Sequence, residues 1–234
     1  LGYAQDNLAA LMPMPNSVVQ AKGRPYRFVE GRTAIVCADT AQQFAAECLA
    51  GIIKCRTGVD VALAADGERG DITLALDPAL QGDEHYRIDV SRRGIAIMGS
   101  TPAALFRAVM TMDQLLLGDV LATGRDEMRP IYIDDAPRLG DRALMLDPAR
   151  HFLPVRDVKF FIDQMAKYKY NVLQLHLTDD QGWRIAIHSH PELASEQHYT
   201  QEELREIIGY AAQRHIEVVP EIDIPGHTVA ILAA

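Results

Sequence analysis

The chain is poor in the residues that would mark several classes of protein. Cysteine is scarce, with three among 234 residues, at positions 37, 48 and 55. An odd, sparse set is not a disulfide framework, and the spacing is not that of a zinc site. Cys37, Cys48 and Cys55 are therefore expected as small core residues. Positive charge is in deficit, 23 Lys and Arg against 32 Asp and Glu, for a formal net charge of -9. No basic stripe is available to neutralise phosphates, which excludes a nucleic-acid partner. No apolar run reaches the length of a membrane span, so no membrane partner is expected. Internal repeats and low-complexity tracts are also missing. The first residue is Leu rather than Met, and Leu1-Gly-Tyr-Ala-Gln has neither a basic n-region nor an apolar h-region. The start is expected to have been processed or cut, with no signal peptide inside the chain.

What is present is an ordinary globular composition, 48% hydrophobic and 24% charged, long enough for one large domain or two small ones. Residues 1–135 read as a mixed α/β unit. Thr33-Ala-Ile-Val-Cys37 and Asp71-Ile-Thr-Leu-Ala-Leu76 are β-like runs. Tyr86-Arg-Ile-Asp-Val90 and Gly94-Ile-Ala-Ile-Met98 flank Ser91-Arg-Arg-Gly94, which is hairpin chemistry. Phe44, Cys48, Leu49 and Ile52 recur at helical spacing. Thr101-Pro102 opens a second helix with Leu105, Val109, Met112 and Leu116 on one face. No catalytic constellation falls in this half. Charged, Pro- and Gly-rich residues around 126–141 predict a linker.

From 136 the rhythm changes to strand, helix, strand, helix, strand. Ala143-Leu-Met-Leu146 is the first strand, and a helix over 155–169 follows, with Val158, Phe161, Ile162 and Met165 on one face. The second strand covers 171–178. Thr200-Gln-Glu-Glu203 is a capping box opening the next helix, and the third strand covers 216–222. This alternation implies a parallel sheet. Each strand ends in charged residues: Asp147-Pro-Ala-Arg150-His151-Phe152, His176-Leu-Thr-Asp179-Asp180-Gln-Gly-Trp183, and Pro220-Glu221-Ile-Asp223-Ile-Pro225-Gly226-His227. Charge collected at the carboxyl ends of parallel strands marks an α/β active-site rim. Glu221 and Asp223 share strand parity and face one side, where buried carboxylates need partners such as Arg142, Arg150 or His151.

In this order, the three motifs resemble the first part of the catalytic barrel of family 20 glycoside hydrolases, the β-N-acetylhexosaminidases. The upstream half, from Leu11-Met-Pro-Met-Pro15, resembles the small α/β domain that precedes that barrel. The resemblance implies an α+β domain over 1–135, then, over 136–234, the first three βα units of a TIM (β/α)8 barrel, truncated well short of the roughly 250 residues such a barrel takes. It implies an exo-acting enzyme that removes terminal N-acetylglucosamine or N-acetylgalactosamine from glycans or chitin oligomers, without a cofactor. In such a mechanism the substrate's own acetamido oxygen is the nucleophile, a departure from the two-carboxylate scheme. Arg142 matches the family's sugar-binding arginine, and Asp179 with His227 a carboxylate–imidazole pair beside the acid. Trp183 has an aromatic face suited to lining a sugar site, with packing beside the strand end as the other reading. Asp147, Arg150, His151, Glu221 and Asp223 are read as supporting residues. The family's Asp-Glu catalytic pair has no counterpart after residue 142, so the chain alone is expected to be inactive and to need the remainder of the barrel. A secreted or periplasmic location follows from the resemblance alone. Two rival readings stand beside it. One is a non-catalytic fragment or sugar-binding remnant. The other is a metal-dependent hydrolase in which His188-Ser-His190 joins His176, Asp179, Asp180 and His227.

Overall fold

A computed structural model describes residues 11–37, 40–64 and 70–234. Residues 1–5, read above for a leader, lie outside them. The chain divides into two units, Leu1–Arg138 and Leu139–Ala234.

The first unit is built on strands β1 (Ser17–Gln20), β2 (Tyr26–Arg27), β3 (Ala34–Cys37), β4 (Ala62–Ala64), β5 (Ile72–Leu76), β6 (Tyr86–Ser91), β7 (Gly94–Gly99), β8 (Glu127–Met128) and β9 (Ile131–Asp135), with helices α1 (Thr40–Thr57) and α2 (Pro102–Thr123). Seven strands form one mixed sheet in the order β1-β9-β6-β7-β5-β3-β4, while β2 and β8 pair separately. Period-2 alternation aims Ile72, Leu74, Ile88, Ile95 and Ile97 into the core. Thr101 caps α2 by accepting from the Ala104 N–H at 3.2 Å, and Pro102 follows in the first turn. The predicted stripe of Leu105, Val109, Met112 and Leu116 is fully buried. In α1 the buried stripe is Ala45, Ala46, Leu49 and Ile53, so Phe44, Cys48 and Ile52 sit at its half-exposed margin. Gly94 is needed less for a turn than for closeness, because a Cβ there would lie 2.3 Å from the Asp71 carbonyl oxygen.

The linker expectation over 126–141 fails for its first ten residues. β8 and β9 lie there, and β9 is an inner strand between β1 and β6. The acidic pair Asp134-Asp135 disguised it. Asp135 accepts from the Tyr86 hydroxyl at 2.7 Å, and Asp134 pairs with His85 and Arg87 at 2.7 and 2.6 Å, so the charges have partners inside the sheet.

The second unit runs β10 (Ala143–Leu146), α3 (Val155–Lys167), β11 (Val172–His176), a short hairpin of β12 (Thr178–Asp179) and β13 (Gly182–Trp183), α4 (Gln201–Ala212), β14 (Glu217–Glu221) and α5 (Val229–Leu232). β10, β11 and β14 are parallel, in that order. Leu173 and Leu175 of β11 are buried, as are Val158, Ile162 and Met165 of α3 and Ile207 and Ala211 of α4. The Thr200–Glu203 capping box forms in both directions. The helix α3 stops two residues before its predicted end. Lys169 turns left-handed (φ 62), and Tyr170 N–H bonds back to Met165 at 2.9 Å. His215 (φ 55) and Ile216, which bonds to Ala211 at 3.0 Å, repeat this Schellman corner after α4. Each corner delivers the chain into the next parallel strand.

Candidate active site

Three strand ends converge. His176 ends β11 and Glu221 ends β14, and the two are register partners across the parallel ladder. Beyond β11 the β12–β13 hairpin folds Asp179 back onto the strand end. Beyond β10, Asp147 accepts the Arg150 backbone N–H at 3.0 Å, a local turn that aims the Arg150 guanidinium inward. That guanidinium reaches Asp147 Oδ2 at 2.6 Å and Asp179 Oδ2 at 2.5 Å.

Asp179 is the hub and is almost wholly buried. Its Oδ2 faces Arg150 and His176 Nε2 (2.9 Å), and its Oδ1 faces the Asp180 backbone N–H (2.6 Å) and His227 Nδ1 (3.1 Å). Burial by itself would raise its pKa. The hydrogen bonds from His176 and Asp180 and the charge of Arg150 outweigh it and hold the carboxyl below its usual range. An ionised Asp179 only accepts, so His227 Nδ1 carries the proton facing it and Nε2 is the nitrogen left for chemistry. His227 is itself half-exposed and sits at φ 56. Glu221 accepts from Gln174 Nε2 and sits 3.2 Å from His176 Nδ1; the Gln174 bond is the main cause that lowers its pKa. Asp223 N–H bonds to Thr178 Oγ1 at 3.0 Å, and Asp180 Oδ1 accepts the Val229 N–H at 3.1 Å, which ties the loop carrying His227 to the hairpin.

The rim thus gathers Asp147, Arg150, Asp179, Glu221, Asp223 and His227. His151 is exposed on the same turn as Arg150. Arg142 is not among them. It precedes β10, at the amino ends of the strands, where its guanidinium binds the backbone carbonyls of Lys169 (2.7 Å), Leu139 (2.9 Å) and Gly140 (3.0 Å). A residue before a parallel strand is a strand length away from the rim, so the sugar-binding expectation for Arg142 is corrected and Arg150 holds the rim position. Trp183 is buried, and its indole N–H bonds to the Ile185 carbonyl at 2.7 Å. It lies buried within the hairpin's own β13 and offers no open platform for a pyranose ring, a second correction.

Sequence reasoning missed Arg184 and gave His176 a role only as a metal ligand in a rival reading. His176 joins Asp179 to Glu221. Arg184, buried, donates to the carbonyls of Pro148 (3.0 Å), Ala149 (2.9 Å) and Gln197 (2.9 Å), clamping the turn that bears Arg150. Gly182 leaves the room, since a Cβ there would lie 2.4 Å from the Arg184 guanidinium. Neither role shows in the neighbouring sequence, since strand register alone brings Glu221 to His176 and the partners of Arg184 are backbone carbonyls.

Among the described residues, two sets could offer ligand atoms to a cation, His176 with Glu221 and Asp223, and Asp179 with Asp180 and His227. Both nitrogens of His176 already face carboxylates, which draws protons rather than a metal to that ring. His188 and His190 are exposed and belong to neither set, and His190 pairs with Glu192 at 3.1 Å.

A buried carboxylate braced by a guanidinium and two imidazoles stands at the carboxyl ends of successive parallel strands, the place where α/β folds bind their ligands. Residues 141–234 match the catalytic domain of glycosyl hydrolase family 20, and residues 9–136 match domain 2 of the same family. The chain belongs to glycosyl hydrolase family 20. It is 37% identical to a β-hexosaminidase of Vibrio furnissii over 96% of its own length and 39% of that protein. It is also 37% identical to a β-N-acetylhexosaminidase of Cellulomonas fimi, over 94% of its length and 47% of that protein. A Streptomyces plicatus β-hexosaminidase solved with its product GlcNAc superimposes with a TM-score of 0.88 at 41% identity, covering 97% of this chain and 48% of that one. The mixed α/β fold is therefore that of family 20 structures. The chain spans less than half the length of these three relatives.

Proposed function

We propose that these residues are the amino-terminal portion of an exo-acting β-N-acetylhexosaminidase, with 139–234 as the first three βα units of a TIM barrel and the first unit as its accessory domain. The enzyme removes terminal N-acetylglucosamine or N-acetylgalactosamine by a substrate-assisted, retaining mechanism. The observation that carries this reading is the hydrogen bond between buried Asp179 and half-exposed His227 at the rim. In such a reaction the acetamido oxygen, already tethered to the sugar, attacks the anomeric carbon, and the advantage is one of proximity. An acid protonates the leaving oxygen, and an adjacent Asp orients the acetamide. No Asp-Glu pair follows residue 142, so both groups come from other polypeptide. In this reading His227 Nε2 tunes that acid, with Asp179 fixing the tautomer. Arg150 offers a planar fork of donors suited to vicinal sugar hydroxyls. Export from the cytoplasm is part of the same proposal and is supported by the family likeness alone.

The test is hydrolysis of a chromogenic N-acetylglucosaminide. The full-length protein carrying these residues is expected to cleave it, and the 234-residue polypeptide by itself is not. Activity of the short polypeptide, or inactivity of the full-length protein, overturns the reading.

A further inference from the structure

His176 has no role in the mechanism above, although both of its ring nitrogens face carboxylates. Its side chain is about 95% buried, Nε2 lies 2.9 Å from Asp179 Oδ2, and Nδ1 lies 3.2 Å from Glu221 Oε1. A neutral imidazole has one N–H to give. Two ionised carboxylates, which only accept, are both satisfied when the ring carries two.

We propose that His176 is the positioning residue of the rim: an imidazolium clamped between Asp179 and Glu221 that fixes the carboxylate against which His227 is oriented. What that orientation serves rests on the functional reading above.

The charges around the ring support this. Asp147, Asp179, Glu221 and Asp223 face it from three strand ends, with Arg150 on the same Asp179 oxygen and His227 edge-on at 6.5 Å between centroids. Four carboxylates against one guanidinium leave the cluster short of positive charge, and buried charge needs a partner. Burial alone would lower the imidazole's pKa, yet the bonds to Asp179 and Glu221 carry it above the ordinary value. Geometry completes the clamp. Register places His176 beside Glu221, and Gln174, on the same face of β11, holds the other Glu221 oxygen. With both ring nitrogens anchored, the ring cannot flip. Asp179 then has Oδ2 occupied by His176 and Arg150, and Oδ1 is presented to His227.

The experiment uses the full-length protein. In His176→Gln, an amide replaces the two-ended cation and cannot bridge both carboxylates. For the folded variant, kcat is expected to fall on the order of 10²-fold, the scale at which misplacement of a reacting group acts, with KM little changed. Added to His227→Ala, His176→Gln is expected to cost little more, because the two act through one carboxylate. A folded His176→Gln enzyme with wild-type kcat, or full additivity with His227→Ala, overturns the proposal. A second measurement does not depend on that variant's folding. Histidine-selective 15N NMR of the wild-type protein at pH 6, below the ordinary imidazole value, is expected to show protons on both His176 ring nitrogens, and a ring with only one overturns the clamp. Wild-type inactivity toward the N-acetylglucosaminide would overturn the functional reading instead, leaving the NMR result to judge His176.

Discussion

Two arginines eight residues apart show how much depends on which end of a strand a side chain occupies. Arg142 comes before β10 and holds three backbone carbonyls, whereas Arg150 comes after it and meets Asp179. Arg142→Ala is expected to cost roughly 2–3 kcal/mol of stability, as hydrogen bonds from a charged group do, with KM unchanged. Arg150→Ala is expected to raise KM at least several-fold. Paired denaturation and steady-state kinetics on the full-length protein check both, and the opposite pattern would restore Arg142 to the sugar site. The difference was legible in the sequence, because parallel strands keep their chemistry at carboxyl ends, and position relative to Ala143-Leu-Met-Leu146 decides between the two. His176 was not legible in the same way. Its partner Glu221 is 45 positions away in sequence and is brought alongside only by strand register. The same ionic cluster predicts a pH dependence. Asp179 and Glu221 have folded pKa values depressed below their ordinary 3.8 and 4.5, so their contribution is present above those values and is lost on acidification. His176 is raised above its ordinary 6.5, so its contribution is complete below 6.5 and fades as pH rises through the elevated value. The cluster should stabilise most between about pH 4.5 and 6.5. Denaturation midpoints across pH 3–9, compared with Asp179→Asn, test this, and an unchanged profile in that variant would refute it.

At the level of elements, the strands and helices of the second unit were readable because pattern, caps and length agree. Thr200 and Glu203 cap α4 reciprocally, and Thr200→Ala is expected to destabilise by about 1 kcal/mol, measurable as a shift in denaturation midpoint. The inner strand β9 was hidden because Asp134 and Asp135 read as linker residues until their partners His85, Arg87 and Tyr86 are known. The hairpin that lifts Asp179 over the sheet is only two residues per strand, too short to leave a periodic signal. Buried Arg184 was unreadable for another reason, since its partners are carbonyls, which every sequence has.

At the scale of the molecule, the second unit has a three-stranded parallel sheet with β10 and β14 at its two edges. Met145, Val219 and Ile222 are substantially exposed on or beside those strands. Open edges flanked by apolar side chains recruit further strands. The 234-residue polypeptide, expressed alone, is therefore expected to self-associate despite its net charge of -9. Analytical ultracentrifugation decides it, and a monodisperse monomer at micromolar concentration would count against the barrel reading.

The left-handed backbone at His227 has a consequence for anyone making variants there. At φ 56 a residue with a Cβ is strained, and Asn and Gly tolerate the conformation best. Alanine at this position removes the imidazole and also loosens the loop, so its effect mixes two causes. Asparagine keeps the bend and an N–H able to face Asp179 while removing the nitrogen corresponding to Nε2, which makes Asn the cleaner control for separating chemistry from loop shape.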